Sequence, residues 1–361
     1  RMKYRALGCT GLNVSEIGFG AWGIGGRTVG TTSYGDTDDR TSLAALGRAL
    51  DLGINFYDTS SAYGDGHSEE LLGQAFASRR SDVLIATKAG YESWDRPPDF
   101  SPAAVSASVD RSLRRLKSDY IDLLQLHNPP PEALREGTLP AAMSRLQKAG
   151  KIRAWGVSAK SPAEALMVLN DCRADVIQAN FNMMDVRAEA SGLFAELVRR
   201  RAGFIARTPL CFGFLSGMIR RDTVFPAGDH RLGWSRAQIE NWIDGASDLL
   251  QAVEASPGAE GARSALRFCL SFAAVSFALA SGALLAFAYP DRVARQRKAG
   301  GADYRLANGR AAQFGEADTH PRPVDQSVQP LRFRLECCEQ FPQPLLIKSL
   351  RRNPHLGFGV E

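Results

Sequence analysis

A chain of 361 residues with 44% hydrophobic and 23% charged side chains holds enough apolar material for one large α/β domain or two smaller ones. The net charge of +5 comes from Lys and Arg scattered among acids, without the basic stripe of a nucleic-acid binder, so no nucleic-acid partner is expected. Six cysteines without a C-x-x-C pair, and a start without an apolar leader, give the expectation of reduced thiols and a cytoplasmic location.

Residues 4–16 read as a short hairpin turning between Gly8 and Gly11. Strand-like and helix-like segments then alternate. After the strand-like "EIGFGAW", "DDRTSLAALGRALDLG" puts Leu43, Leu46 and Leu50 on one helical face, and Gly53 is placed to stop it. "INFYD" is a strand, and "SEELLGQAFAS" is a helix with Glu69 and Glu70 favourably placed in its first turn. "DVLIATK" is followed by the helix "SPAAVSASVDRSLRRL", with Ser101 as its cap and Pro102 in its first turn. The strands "YIDLLQLH", "IRAWGVSA", "DVIQANFN" and "GFIARTPL" follow, separated by the helices "TLPAAMSRLQKAG", "SPAEALMVLND" and "GLFAELVRRR".

That gives seven strands by position 210, and "AAVSFAL" fits an eighth. Nearly continuous apolar strands are expected where helices cover a parallel sheet. Their number and the chain length favour a (β/α)8 TIM barrel over an open doubly wound sheet. Residues 222–262 are polar and punctuated by Gly and Pro, and read as a long insertion with a helix around Gln238–Val253. The stretch Phe268 to Tyr289 carries no charge and is long enough to cross a bilayer. A buried strand with adjoining helix ends produces the same pattern, and the flanks lack an aromatic belt, so no membrane partner is expected.

"GFGAWG", Gly18 to Gly23, matches G-x-G-x-x-G, and Asp38 follows 20 positions after its first glycine. The dinucleotide fingerprint needs a helix to open at the motif. Here a Gly/Thr/Ser run follows instead, and a Rossmann turn is not expected.

Three strands each end in one ionisable residue: Asp58, Lys88 and His127. In a barrel, such residues converge on one mouth, with Tyr63 on the loop above it. A tyrosine has an unperturbed pKa of about 10, and a neighbouring ammonium favours its phenolate. A carboxylate beside the lysine keeps that lysine charged, and a histidine can donate to a carbonyl oxygen. The set suits proton delivery to a carbonyl. Each residue taken singly has an ordinary structural reading: a turn or cap aspartate, a snorkelling lysine, an interior histidine.

The segments "GINFYDTSSAYGDGHSEELLGQA", "LIATKAG", "SLRRLKSDYIDLLQLHNP", "GKIRAWGVSA", "IQANFNMMD" and "ARTPLCFGFLSG" resemble the aldo-keto reductase family, in its long-chain bacterial-type branch. The resemblance runs from Tyr4 to about Ser276. It implies a (β/α)8 barrel that transfers a hydride between NADP(H), or alternatively NAD(H), and an aldehyde, ketone or alcohol, without metal. It also implies that Asp58, Tyr63, Lys88 and His127 form the catalytic tetrad.

Carried over in the same way, Ser158 and Gln178 would hold the nicotinamide amide. Ala159 stands where the family commonly has an asparagine, and Arg207 where it often has a tyrosine stacked on nicotinamide. Pro209, Leu210, Gly213, Leu215 and Gly217 match a loop that wraps the pyrophosphate, and Gly20, Trp22 and Asp58 belong to the same cofactor set. Trp22 and Trp94 are expected over the mouth as an apolar substrate wall, with ordinary packing as the alternative.

Beyond about residue 276 the resemblance ends. The family's basic residue for a 2′-phosphate has no counterpart before Arg292, and the last helix is not recognisable. The expectation is a barrel over 1–290 and a divergent tail over 291–361, either an out-of-frame translation or a replaced C-terminus. The second functional reading is therefore a non-catalytic regulatory or binding barrel with an impaired cofactor site. Substrate identity and oligomeric state stay open.

Overall fold

The hairpin at the start of the chain pairs β1 (Tyr4–Ala6) with β2 (Asn13–Ser15) antiparallel. Its apolar residues Leu7, Leu12 and Val14 are buried against Phe56, Leu123, Val176, Ile205 and Phe277, the side chains that fill the barrel interior. Arg5 fixes the hairpin from outside, pairing with Glu16 at 2.8 Å and donating to the carbonyls of Leu270 and Val275 at 3.0 Å each. In this computed structural model the described residues are 2–281 apart from 31 and 136, plus strand pieces at 295–296, 303–305 and 311–313.

Eight parallel strands close into a barrel: β3 (Ile17–Gly20), β4 (Phe56–Asp58), β5 (Leu84–Ala89), β6 (Ile121–His127), β7 (Ile152–Ser158), β8 (Val176–Asn180), β9 (Gly203–Arg207) and β10 (Phe277–Ser281). The last strand pairs with both β3 and β9, which completes the ring. This is the expected (β/α)8 architecture with its N-terminal hairpin. Around the strands lie α1 (Asp39–Asp51), α2 (His67–Phe76), α3 (Pro102–Leu116), α4 (Pro131–Arg135), α5 (Thr138–Lys148), α6 (Pro162–Asp171), α7 (Arg187–Ala190), α8 (Leu193–Arg200), α9 (Arg236–Ala252) and α10 (Ala259–Leu270).

Local chemistry sets the helix ends. Asp38, Ser101, Ser161 and Ser235 each accept a hydrogen bond from a backbone N–H in the first turn of the helix they cap. The Ser235 cap starts α9 two residues before the expected Gln238. Gly53, at φ +88°, provides the left-handed residue that ends α1. The short helices α4 and α7 were not expected, because four or five residues carry no helical period. "GFGAWG" forms the end of β3 and a 3-10 turn over Ala21–Ile24, well before the first α-helix at Asp39, so it is no dinucleotide fingerprint.

Among the described residues, no helix is long and apolar enough to cross a membrane. The uncharged stretch from Phe268 holds the end of α10 and the strand β10, and its remainder lies outside the described residues. The expected tail over 291–361, apart from the three strand pieces, and the position of a 2′-phosphate residue also lie outside them.

Candidate active site

The register of the strands places the ionisable residues at one rim. Gly20 lies opposite Asp58, Lys88 opposite Gln125, His127 opposite Ser158, and Asn180 opposite Arg207. Asp58 and Lys88 are buried and form an ion pair. The three ammonium donors of Lys88 each find an acceptor: Asp58 Oδ1, the Thr59 carbonyl at 2.9 Å and Tyr63 Oη at 3.3 Å. The second carboxylate oxygen, Asp58 Oδ2, accepts from Gln125 Nε2 at 2.8 Å and Gln178 Nε2 at 2.9 Å. A buried ion pair is tolerable only when its remaining polar atoms are satisfied in this way. Burial works against the ammonium, but the Asp58 carboxylate, with the hydrogen bonds to Asp58 and Tyr63, outweighs it and raises the Lys88 pKa above its ordinary value.

Because the lysine donates to Tyr63 Oη, the phenol's own proton is directed away from Lys88. Tyr63 is seated by the turn that follows it. Gly64 has φ +62°, and a Cβ there would lie 2.1 Å from the Gly25 carbonyl oxygen, so the turn packs backbone to backbone. His127 closes the group, its ring 6.0 Å from that of Tyr63 and edge-on to it. Burial, then the charges of Lys88 and Arg207, hold its pKa well below the ordinary imidazole value, so the ring is neutral. Its Nδ1 lies 3.2 Å from Ser60 Oγ, whose oxygen accepts from the Ala62 N–H at 3.2 Å and whose proton is free to go to Nδ1. Tyr91 and Trp94 pack edge-on to the imidazole at 5.6 and 5.4 Å.

A cavity of about 400 Å³ opens above these residues. Asp58, Tyr63 and His127 form its floor, with Gly20, Trp22, Trp94, Gln178, Arg207, Pro209 and Leu210 in its walls. A carboxylate-locked lysine, a phenol and a neutral imidazole thus meet at the C-terminal rim of an eight-stranded barrel. The sequence profile described as the Aldo/keto reductase family matches residues 16–285. The chain belongs to the aldo/keto reductase family.

An aldo-keto reductase of Bacillus subtilis is 32% identical over 287 residues, covering 77% of this chain and 84% of its own length. The NADH-specific methylglyoxal reductase of Escherichia coli is 33% identical over 245 residues, covering 63% of this chain and 73% of its own. Among solved structures, the glycerol dehydrogenase of Gluconobacter oxydans aligns with a TM-score of 0.63 at 30% identity, covering 76% of this chain and 85% of that one.

In this aldo/keto reductase the expected residues fall into two groups. Ser158, at the end of β7, and Gln178, in the middle of β8, are buried, and Ser158 Oγ lies 3.5 Å from Gln178 Oε1. Arg207 donates to Ser158 Oγ at 2.9 Å, Asn180 Oδ1 at 2.9 Å and the Ala159 carbonyl at 3.2 Å. Gly213, Leu215 and Gly217 stand back from the cavity. Their N–H groups donate to carbonyls of their own loop, Leu210 for the first two and Phe214 for the third. Trp22 and Trp94 both line the cavity.

Sequence reasoning missed Gln125 and Ser60, and it missed the front of the cavity: Tyr34, Phe212, His230, Trp234 and Trp242. The available signal was the aromatic density of "HRLGWSRAQIENW" inside an otherwise polar insertion. Asp229 anchors that insertion. Its carboxylate is buried and pairs with Arg231 at 2.6 Å, while Arg231 donates to the Phe212 carbonyl at 3.0 Å.

Proposed function

We propose that this protein is an NADPH-dependent oxidoreductase that reduces an aldehyde or ketone, or oxidises the corresponding alcohol, with Tyr63 as general acid and base. The observation that carries the reading is the full use of the Lys88 ammonium, whose third donor goes to Tyr63 Oη and leaves the phenol proton for a ligand. In reduction, a carbonyl oxygen over the floor takes that proton from Tyr63, while Lys88 stabilises the phenolate left behind. Neutral His127 donates from Nε2 to the same oxygen, with Nδ1 facing the Ser60 hydroxyl. In oxidation, the Tyr63 phenolate takes the alcohol proton.

The residues present fit a nicotinamide cofactor. The hydroxyl of Ser158 and the amides of Gln178 and Asn180 gather beside Arg207, offering donors and acceptors to a carboxamide. The following loop turns through left-handed backbone at Thr208, Cys211, Phe212, Gly213 and Gly217, a conformation that makes anion-binding concavities. Gly20, Trp22, Pro209 and Leu210 would contact the group from the walls, and Gly213, Leu215 and Gly217 would hold the loop's shape. When bound, the nicotinamide supplies or accepts the hydride. NADH is the alternative cofactor, since the methylglyoxal reductase is NADH-specific by name. Small carbonyl compounds and polyols are the substrate class, in keeping with that relative and with the glycerol dehydrogenase.

The test is a fluorescence titration with NADPH and with NADH, wild type beside Tyr63→Phe, followed by turnover of an aromatic aldehyde. We expect both proteins to bind and kcat to fall about 10²- to 10⁴-fold in the variant. Tyr63→Phe turnover equal to wild type would sink the role of Tyr63. A folded chain that binds neither cofactor would establish the non-catalytic barrel instead.

A further inference from the structure

The charges around the cavity do not cancel. Among the described residues that line it, Asp58 and Arg207 carry the formal charges, because burial holds the His127 and His230 rings neutral near neutral pH. Lys88 balances Asp58. Arg207 has no such partner: among the described residues no carboxylate forms an ion pair with it. Its hydrogen bonds go to neutral acceptors, the Ser158 hydroxyl, the Asn180 amide oxygen and the Ala159 carbonyl. Beyond Asp58, the carboxylates whose fields reach it are Asp185 and Glu164. Asp185 is held by Arg187 at 2.8 Å, and Glu164 accepts the Lys160 N–H at 2.9 Å. Burial works against the guanidinium, yet an arginine side chain keeps its proton in a protein.

This unbalanced cation stands among the groups that the cofactor reading assigns to a carboxamide. One guanidinium nitrogen lies 2.9 Å from Ser158 Oγ, and that oxygen lies 3.5 Å from Gln178 Oε1. A nicotinamide ring has two charge states: it is a cation in the oxidised dinucleotide and neutral in the reduced one. The phosphates, riboses and adenine are the same in both. A fixed cation beside the ring therefore repels one form and spares the other. In a site shielded from bulk water that repulsion is several-fold stronger than between free ions.

We propose that Arg207 makes the cavity discriminate between the two oxidation states of the nicotinamide, binding the reduced dinucleotide more tightly than the oxidised one. The overall equilibrium of the reaction is untouched by this. What changes is occupancy: in a mixture of the two forms the site fills with the hydride donor, and the spent form leaves readily. That suits carbonyl reduction better than alcohol oxidation. The proposal rests on the oxidoreductase reading above and adds the direction in which the site works.

The experiment measures Kd by titration calorimetry for NADPH and NADP+, and for NADH and NAD+, in wild type, Arg207→Gln and Arg207→Lys. Each pair differs only at the nicotinamide, so the Kd ratio isolates that ring from every phosphate contact. We expect the reduced form to bind about tenfold more tightly in wild type, the effect of a screened like charge. The ratio should approach one in Arg207→Gln, which keeps an amide donor without the charge. Arg207→Lys, which keeps the charge without the planar fork, should retain most of the preference. Equal affinities in wild type overturn the proposal whether or not the variants fold, and so does an unchanged ratio in Arg207→Gln. A ratio lost equally in Arg207→Lys would assign the preference to the fork's hydrogen bonds and overturn the role of charge. Wild type that binds none of the four dinucleotides would sink the oxidoreductase reading and this proposal with it, an outcome distinct from equal affinities, which overturn the proposal alone.

Discussion

The back and the front of the cavity are built on opposite principles. At the back, every polar atom of the Asp58–Lys88 pair faces a partner, and the partners sit on strands β4, β5, β6 and β8 or on residues 59–63 that follow β4. At the front, the rings of Trp22, Tyr34, His230 and Trp234 lean on one another around His230 Nε2, a nitrogen with no partner among the described residues. The back belongs to the barrel's own hydrogen-bonded frame. The front is latched by the Asp229–Arg231 pair, the hydrogen bond from His230 N to the Ser33 carbonyl at 2.8 Å and that from Trp22 Nε1 to the Thr32 carbonyl at 2.9 Å. The ion pair itself is saturated, although Oε1 of its partner Gln125 is not, and so fixed a pair suits a reaction that does not change. A lightly latched aromatic wall can differ between relatives without disturbing that chemistry.

The sharpest way to break this contrast is Lys88→Met. It leaves the Asp58 carboxylate buried without its cation, a change that typically costs about 3–5 kcal/mol. The whole barrel should lose stability in chemical denaturation, and turnover should fall with it. A Lys88→Met protein as stable as wild type would mean that the pair is not integral to the frame.

At the front, Arg231→Met removes the cation from an equally buried carboxylate, yet the outcome should differ. The insertion can detach and let Asp229 reach water, so the barrel's unfolding midpoint should change little. Hydrogen exchange over 225–235 should rise, and KM should increase more than kcat falls. Global destabilisation as large as that of Lys88→Met would erase the distinction between the two regions.

The same distinction explains what could be read in advance. Asp58, Lys88 and His127 end apolar runs, and parallel strands of a closed barrel bring such ends together, so period and position sufficed. Tyr63 was legible through its fixed distance from Asp58. Gln125 lay inside the apolar run "IDLLQLH" as an isolated amide, and only the register opposite Lys88 reveals that it faces Asp58. His230 sits 103 residues beyond His127, on a loop held by isolated bridges from Ser33 and Tyr34 to Asp229. No period in the sequence encodes that meeting. The loop residues Gly213, Leu215 and Gly217 were legible as a turn, but which of their N–H groups stay available depends on hydrogen bonds within the loop.

Ser60 provides the smallest and finest test, because it touches the back of the cavity without belonging to the ion pair. Its hydroxyl is the side-chain partner of His127 Nδ1, at 3.2 Å. Ser60→Ala removes one neutral hydrogen bond, which should lower kcat about fivefold and leave cofactor affinity unchanged. The pH profile then tests the role of the imidazole. Burial, Lys88 and Arg207 keep it neutral in the fold, and in the proposed reaction it donates from Nε2 as a neutral ring. Activity carried by such a donor does not decline as pH rises through about 6.5, where an ordinary imidazolium would lose its proton. A loss of kcat across that range in wild type, weakened in Ser60→Ala, would show instead that His127 works as a cation. The neutral-donor account of the floor would then have to be given up.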